Sequence, residues 1–259
     1  MELIKVGEKT YYISNAVNIG IYKVNEKEVY VIDTGNDKDS GKKILKIIQQ
    51  QGWIIKGIIS THSHADHIGG NKILQEKTNC IILSNKIDKV FIENTILEPS
   101  FLYGGYPFKC LKNKFLVAQE SVTSDIKDNL PDGLSYFLLK GHCYDMIGIK
   151  TSDNVYFLAD SLFGENTISK YHIFYIYNVQ EYLNTLEFLK TLNGNLFVPS
   201  HCEATTNILP LIELNKKKIQ EILKNEYDIM QEDPTKQIRL EPRDAFIETA
   251  SQAILKAYN

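Results

Sequence analysis

Within six residues, His62-Ser63-His64-Ala65-Asp66-His67 gathers three of the chain's six histidines and an aspartate, directly after the apolar run Ile58-Ile59. In extended backbone, residues two apart point to the same side, so His62 and His64 can grip one ion together. Asp66 and His67 fall where the chain turns into a helix, and their side chains leave in another direction. Gly69 and Gly70 let backbone pack closely just behind them. Two diverging pairs of ligands suit two metals better than one. A structural zinc site would favour four ligands, usually with cysteine at spacings such as C-x-x-C, and no such spacing occurs here.

Partners with the right chemistry lie elsewhere in the chain. Asp33, His142, Asp160 and His201 each sit at or just beyond a predicted strand: Val29–Ile32, Tyr136–Leu139, Val155–Leu158 and Leu196–Val198. Taken singly, each has an ordinary explanation as a turn residue or a satisfied polar group. Together, five of six histidines and three aspartates collect at strand ends, where open α/β folds place their ligands.

The ordered set Asp33-Thr34-Gly35, His62-Ser63-His64-Ala65-Asp66-His67, Gly141-His142, Ala159-Asp160 and Ser200-His201 resembles the metallo-β-lactamase superfamily, over residues from about 10 to 205. The resemblance implies an α/β fold, a four-layered αβ/βα sandwich with a dinuclear site between its two sheets. It implies that His62, His64 and His142 hold one metal, that Asp66, His67 and His201 hold a second, and that Asp160 bridges both. Asp33 would orient a ligand imidazole. The implied cofactors are two divalent ions, zinc foremost, with iron or manganese as alternatives. The implied reaction is hydrolysis of an ester, thioester or related bond by a hydroxide held between the ions, with Asp66 and Asp160 as the catalytic carboxylates.

Departures narrow the choice. The family's true β-lactamases carry Cys, or no bridging carboxylate, where Asp160 stands. Acyl-homoserine lactonases carry tyrosine at the position of Phe163. Glyoxalase II is similar in the ligand set and in Asp160-Ser161-Leu162-Phe163, but Cys202-Glu203-Ala204 lacks its glutathione-contacting tyrosine, and the C-terminal helices lack its basic pair. Ribonuclease Z would need a substrate arm and a further histidine motif. Two alternatives stay open: an oxidoreductase like the persulfide dioxygenases, with one iron at His62, His142 and Asp160, and a phosphodiesterase of the same superfamily.

A chain of 259 residues, 43% apolar, can bury one substantial core with an appendage. The expected division is a catalytic domain over 1–205 and a helical extension over 206–259. The extension is marked by Ile212, Ile219, Ile222, Leu223, Tyr227 and Met230, then, past Pro234 and Pro242, by Phe246, Ala250, Ala253, Ile254 and Ala257. It could pack on the sandwich, cover the site or form a homodimer contact. Net charge is −3 with the signs mixed, so the expected partner is a small molecule and not nucleic acid. No run is long enough to span a bilayer, Met1–Glu8 holds no signal-peptide apolar core, and four cysteines are scattered; the cytoplasm is the expected location. Cys143 and Cys202 adjoin ligands but read as core packing, not as nucleophiles.

Two aromatic stretches remain. Residues 96–117 exceed what a strand-helix-strand passage needs, and aromatics among Gly and Pro predict neither a regular helix nor a central strand. The stretch is a packed surface loop, or a flap that brings Tyr103 or Tyr106 to the substrate. The second, Lys170–Tyr177, contributes Tyr175 as a substrate contact, and His172 as a surface or core residue. The segments Val29–His62 and Val155–His201 also echo one another as strand-helix-strand units, each ending at a ligand.

Overall fold

The computed structural model describes residues 1–113, 116–171 and 175–232; the predicted helix around Phe246–Ala257 and His172 lie outside the described residues. Alternation of side chains along the strands sets the layers. In β4 (Glu28–Ile32), Val29 and Val31 face α1 (Lys38–Gln50), whereas Tyr30 and Ile32 face the other way, into the space between two sheets. In β10 (Val155–Phe163), Val155 and Phe157 enter that same space from the opposite side, and Tyr156 and Leu158 face α8 (Val179–Leu189). Three apolar layers between four structural layers follow from this period of two. The result is the αβ/βα sandwich.

The first sheet has seven strands in chain order. β1 (Glu2–Lys5), β2 (Thr10–Ser14), β3 (Ile19–Lys23) and β4 form an antiparallel meander. β5 (Ile54–Ile59), β6 (Ile81–Ser84) and the two-residue β7 (Ser124–Asp125) continue it in parallel, as right for strands reached through helices. Those helices are α1, the single turn α2 (Ala65–Ile68) with α3 (Asn71–Thr78), and α4 (Lys86–Glu93). Asp37 caps α1 by accepting from the backbone N–H groups of Asp39 and Ser40, and Ile44 and Ile48, four apart, are its buried face. The second sheet runs β11 (Leu196–His201), β10, β9 (Ile147–Thr151), β8 (Leu134–Leu138), parallel only between β10 and β11.

Residues 96–117 differ from expectation. They open with a helix, α5 (Leu97–Tyr103), and include a 3₁₀ turn at Lys109–Leu111. Pro99 sits in the first turn of α5, where its missing N–H costs nothing, and Gly104 at φ 75° ends the helix in the left-handed region. The proline and glycine read as breakers are here the start and stop signals. Short α6 (Ile126–Asn129) precedes β8, and α7 (Glu165–Tyr171) follows β10. The final helix, α9 (Leu209–Glu232), buries Ile212 and Ile219 against the second sheet. Asn215 on α9 donates to Phe163 O at 2.8 Å and accepts from Phe163 N at 3.1 Å, pairing the end of β10 as another strand would. Of the fates open to the extension, its first half packs on the sandwich. No helix among the described residues is long and apolar enough to cross a membrane.

β10 holds the one break in alternation that matters for the site. Its register against β11 slips between Phe157 and Ala159, and Ala159 takes φ 46°. Without that slip, Asp160 would follow Tyr156 and Leu158 toward the helices; with it, the carboxylate turns into the space between the sheets. Sequence reasoning ended the strand at Leu158 and missed the bulge.

Gly69 shows how closely the ligand segment is packed. A Cβ there would lie 2.2 Å from the carbonyl carbon of Asn36 and 2.4 Å from Asp37 N, both backbone. Gly69→Ala should therefore destabilise the fold by about 3 kcal/mol. Gly52→Ala, at φ 74° with nothing within 4 Å, should cost only the backbone strain, roughly 1–2 kcal/mol. Urea titration of both variants measures the difference.

Candidate metal centre

The sandwich brings together the side chains that sequence reasoning selected. His62 follows β5, His64 precedes α2, Asp66 and His67 lie on α2, and His142 follows β8. Asp160 lies at the bulge of β10, and His201 is the last residue of β11. The imidazoles of His62 and His64 are 4.5 Å apart between centroids, those of His64 and His142 4.6 Å, and those of His62 and His67 4.1 Å. Three trios each bring their donor atoms within 4.8 Å of one another: His62, His64 and His142; His62, His67 and Asp160; and Asp66, His67 and His201. Asp160 stands between them. Its Oδ1 is 3.1 Å from His67 Nε2, and its Oδ2 is 3.5 Å from His142 Nε2 and 3.1 Å from His201 Nε2. Asp66 Oδ2 faces the second group, 3.5 Å from His201 Nε2 and 3.8 Å from His67 Nε2.

The rings are held from behind. Asp33, at φ 60°, is buried, and its carboxylate takes three bonds. Thr61 N donates to Oδ1 at 2.8 Å, Thr61 Oγ1 to Oδ2 at 2.7 Å, and His67 Nδ1 to Oδ2 at 2.8 Å. Because the Thr61 hydroxyl proton is committed to Asp33, its oxygen accepts from His62 Nδ1 at 3.1 Å. Asp33 thus orients two imidazoles, one directly and one through Thr61. His142 Nδ1 donates to Tyr175 O at 2.8 Å, and His201 Nδ1 to Ala16 O at 3.2 Å. The Ala16 loop is in turn stapled to β11 by Asn18, whose side chain donates to Pro199 O and Cys202 O on either side of His201.

With each Nδ1 proton given outward, the Nε2 lone pairs of His62, His67, His142 and His201 face inward. His62 Nε2, His67 Nε2 and Asp160 Oδ1 are fully buried with no hydrogen-bond partner in the protein; the last two lie close but not aligned to share a proton. Buried polar atoms left this way ask for an ion. The donor set of imidazole nitrogens and carboxylate oxygens fits a borderline divalent metal such as zinc. The cluster therefore fits a metal site.

Charge is divided to suit. Burial, and then the neighbouring imidazoles, hold His62 and His64 well below the usual histidine value; burial lowers His142 despite Asp160. These rings are neutral and offer lone pairs. Burial opposes ionisation of Asp160, yet His201 and His67 keep its pKa well below the carboxylate range. Burial likewise opposes a charged His67, but Asp160, Asp66 and Asp33 raise it well above the ordinary value, so a metal at His67 Nε2 would take the place of a proton there.

Of the three tyrosines named as substrate contacts, Tyr175 lies against the cluster, its ring 5.7 Å from His64 and 5.9 Å from His142. Tyr106 is 80% exposed, with Lys112 Nζ 3.8 Å from its ring. Tyr103 is half-buried on α5. The aromatic of that helix that meets Tyr175 is Phe101, at 6.5 Å, which also packs on Tyr177 at 5.2 Å and Tyr144 at 5.1 Å. Sequence reasoning missed Phe101, Thr61 and a buried acid, Glu98, whose Oε1 is 3.8 Å from His64 Nε2. Thr61 could have been suspected from its place beside His62; nothing in the pattern of α5 marks Glu98. Outside the cluster, a cleft of about 630 Å³ opens beside Asp66 and His201, walled by Asn36, Asn166, Lys170 and Tyr171.

The family model described as the metallo-beta-lactamase superfamily matches residues 13–201. Among curated proteins, the hydroxyacylglutathione hydrolase of Pelagibacter ubique is 38% identical over 53 residues, 20% of this chain and 22% of that protein. The hydroxyacylglutathione hydrolase of Rhodopseudomonas palustris is 40% identical over 48 residues, 18% and 19% respectively. The chain thus spans about a fifth of the length of these relatives in the match. Among solved structures, VMB-1 aligns with a TM-score of 0.62 at 16% identity, covering 86% of this chain and 97% of that one. A metallo-beta-lactamase from Pontibacter korlensis aligns with a TM-score of 0.58 at 15% identity, covering 85% and 98%. At such identities the likeness is one of fold.

Asp33 gives the site its first test. Asp33→Asn keeps the shape but loses the charge behind two imidazoles, and should weaken zinc binding by roughly ten- to hundredfold. Competition against a chromophoric chelator measures it, and circular dichroism of the stripped variant reports any separate loss of fold.

Proposed function

Because the chain belongs to the metallo-beta-lactamase superfamily, a family of metallo-hydrolases, we propose that it is a dinuclear metal-dependent hydrolase of carboxylic esters, thioesters or related bonds on a small-molecule substrate. The observation that carries this reading is the pair of donor groups, His62, His64, His142 and Asp66, His67, His201, with the Asp160 carboxylate between them and unpartnered buried atoms on both sides. His62, His64 and His142 would hold one ion and Asp66, His67 and His201 the other, with Asp160 within reach of both. When bound there, two divalent ions, zinc foremost, acidify water and polarise a carbonyl oxygen.

The chain's own residues supply placement. Asp160 reaches His67 on one side and His142 on the other, so it fixes the distance between the two groups. Asp66, on the cleft side and more than a third exposed, meets an incoming substrate first. Lys170 puts a cation on the wall of the same cleft, suited to a substrate that carries an anionic group. Tyr175 closes the opposite side against His64 and His142. The match to hydroxyacylglutathione hydrolases supports an acyl thioester among the substrates. The missing tyrosine after His201 argues for a thiol other than glutathione. A cytoplasmic location agrees with free cysteines.

The thiols beside the ligands do not compete with water as nucleophile. Cys143 is buried, and burial first, then Asp88, pushes its pKa well up; burial pushes Cys202 to about 12. Neutral thiols are poor nucleophiles.

Two outcomes are expected. Elemental analysis of protein purified without chelator should find close to two metal ions per chain; a single iron, still single after incubation with excess zinc or manganese, overturns the dinuclear reading in favour of a mononuclear oxidoreductase. On a panel of esters, thioesters, lactones and phosphodiesters, Asp160→Asn should lower kcat by on the order of a hundredfold. Cys143→Ala should keep most activity. Loss of turnover in Cys143→Ala with both metals retained would overturn the water mechanism.

A further inference from the structure

Four of the five clustered imidazoles share one arrangement: Nδ1 gives its proton to an oxygen behind the ring, and Nε2 faces the cluster. The oxygens are Thr61 Oγ1 for His62, Asp33 Oδ2 for His67, Tyr175 O for His142 and Ala16 O for His201. His64 is reversed. Its Nδ1 faces inward, 2.9 Å from His142 Nε2; with a metal taking both of these lone pairs, its proton would belong on Nε2, which points away from the cluster. The acceptor chemistry beside that nitrogen is Glu98, with Oε1 3.8 Å away.

We propose that Glu98, carried into the site by the inserted helix α5, is the outer acceptor of His64 and the positioning residue that holds its Nδ1 toward the metals. This rests on the metal-centre reading above. The carboxyl is a built feature of the interior, since its side chain is only 8% exposed. The backbone N–H of Ala65, the first residue of α2, lies close enough to favour the ionised carboxyl, so Glu98 neighbours both His64 and the opening of α2. The 3.8 Å separation is ion-pair range, longer than a direct hydrogen bond. A carboxyl accepts in either protonation state through its carbonyl oxygen, so the role does not depend on its charge. Phe101, three residues on, packs edge-on to Phe91 at 5.9 Å and against Tyr144, and these rings line the pocket that encloses His64 and Glu98. The insertion is thus part of the metal site's backing rather than only a cover.

The experiment compares wild type, Glu98→Gln and Glu98→Leu as zinc-loaded full chains labelled with ¹⁵N at histidine. Gln preserves an accepting oxygen, whereas Leu removes it. Zinc affinity at one of the two ions should fall roughly ten- to hundredfold in Glu98→Leu and only a few-fold in Glu98→Gln. The His64 Nε2–H resonance should shift in Glu98→Gln and be lost to solvent exchange in Glu98→Leu, with the signals of the other four rings in place. Unchanged affinity with an unmoved His64 signal overturns the proposal. If Glu98→Leu does not fold, the His64 signal of Glu98→Gln decides by the same criterion. Failure of wild type to bind zinc overturns the metal reading itself, and is distinguished by occurring before any substitution.

Discussion

The Asp33 carboxylate is the interaction on which the site's geometry hangs. It sits in left-handed backbone just past β4, where its backbone N–H still donates to Ile59 O of the neighbouring strand. From there it binds the Thr61 backbone, the Thr61 hydroxyl and His67. Three donors converging on one buried carboxylate offset the cost of burying it and leave the rings no freedom to choose another tautomer. Because Thr61 and His67 flank the ligand segment, one side chain fixes how that segment leaves β5. Thr34 adds to this: its backbone N–H donates to His67 O and its hydroxyl to Asn71 Oδ1, closing the segment against the start of α3.

Much of this could be read from the sequence, for physical reasons that differ by element. Strand β4 announces itself as an apolar run because both of its faces are covered, and the expected Val29–Ile32 lies within a residue of the observed range. The candidate metal cluster was legible because imidazole and carboxylate at such spacing have few other uses. The family resemblance ordered the ligands in advance, and the folded chain brings them into three trios. What stayed hidden depends on long-range placement. The bulge at Ala159 has no local signature, since alanine carries no preference for left-handed backbone, yet it decides which way Asp160 points. β9 was also missed, and it lies beside β10 through pairs that no sequence pattern specifies.

The insertion teaches the same lesson in reverse. Aromatics, proline and glycine suggested an irregular segment, a packed surface loop or a flap, and Tyr103 and Tyr106 were its conspicuous residues. In the fold, proline and glycine bound a short helix, and Glu98 and Phe101, spaced three apart and hence on one side of it, meet His64 and Tyr175. Chemistry that depends on a single buried acid gives no periodicity to detect.

The way the two halves meet at the ligands carries a consequence for how the chain reaches its native state. His62, His64, Asp66 and His67 are neighbours in sequence, so their half can gather early at little entropic cost. His142 reaches His64 only after a stretch of 78 residues is closed, and the Asn18–Cys202 staple beside His201 spans 184. Contacts of that reach must be prepaid in chain entropy before they return any energy. Completing the cluster is therefore expected to come late in folding, and a cation captured by the first four side chains would wait, incompletely ligated, for the second sheet to arrive.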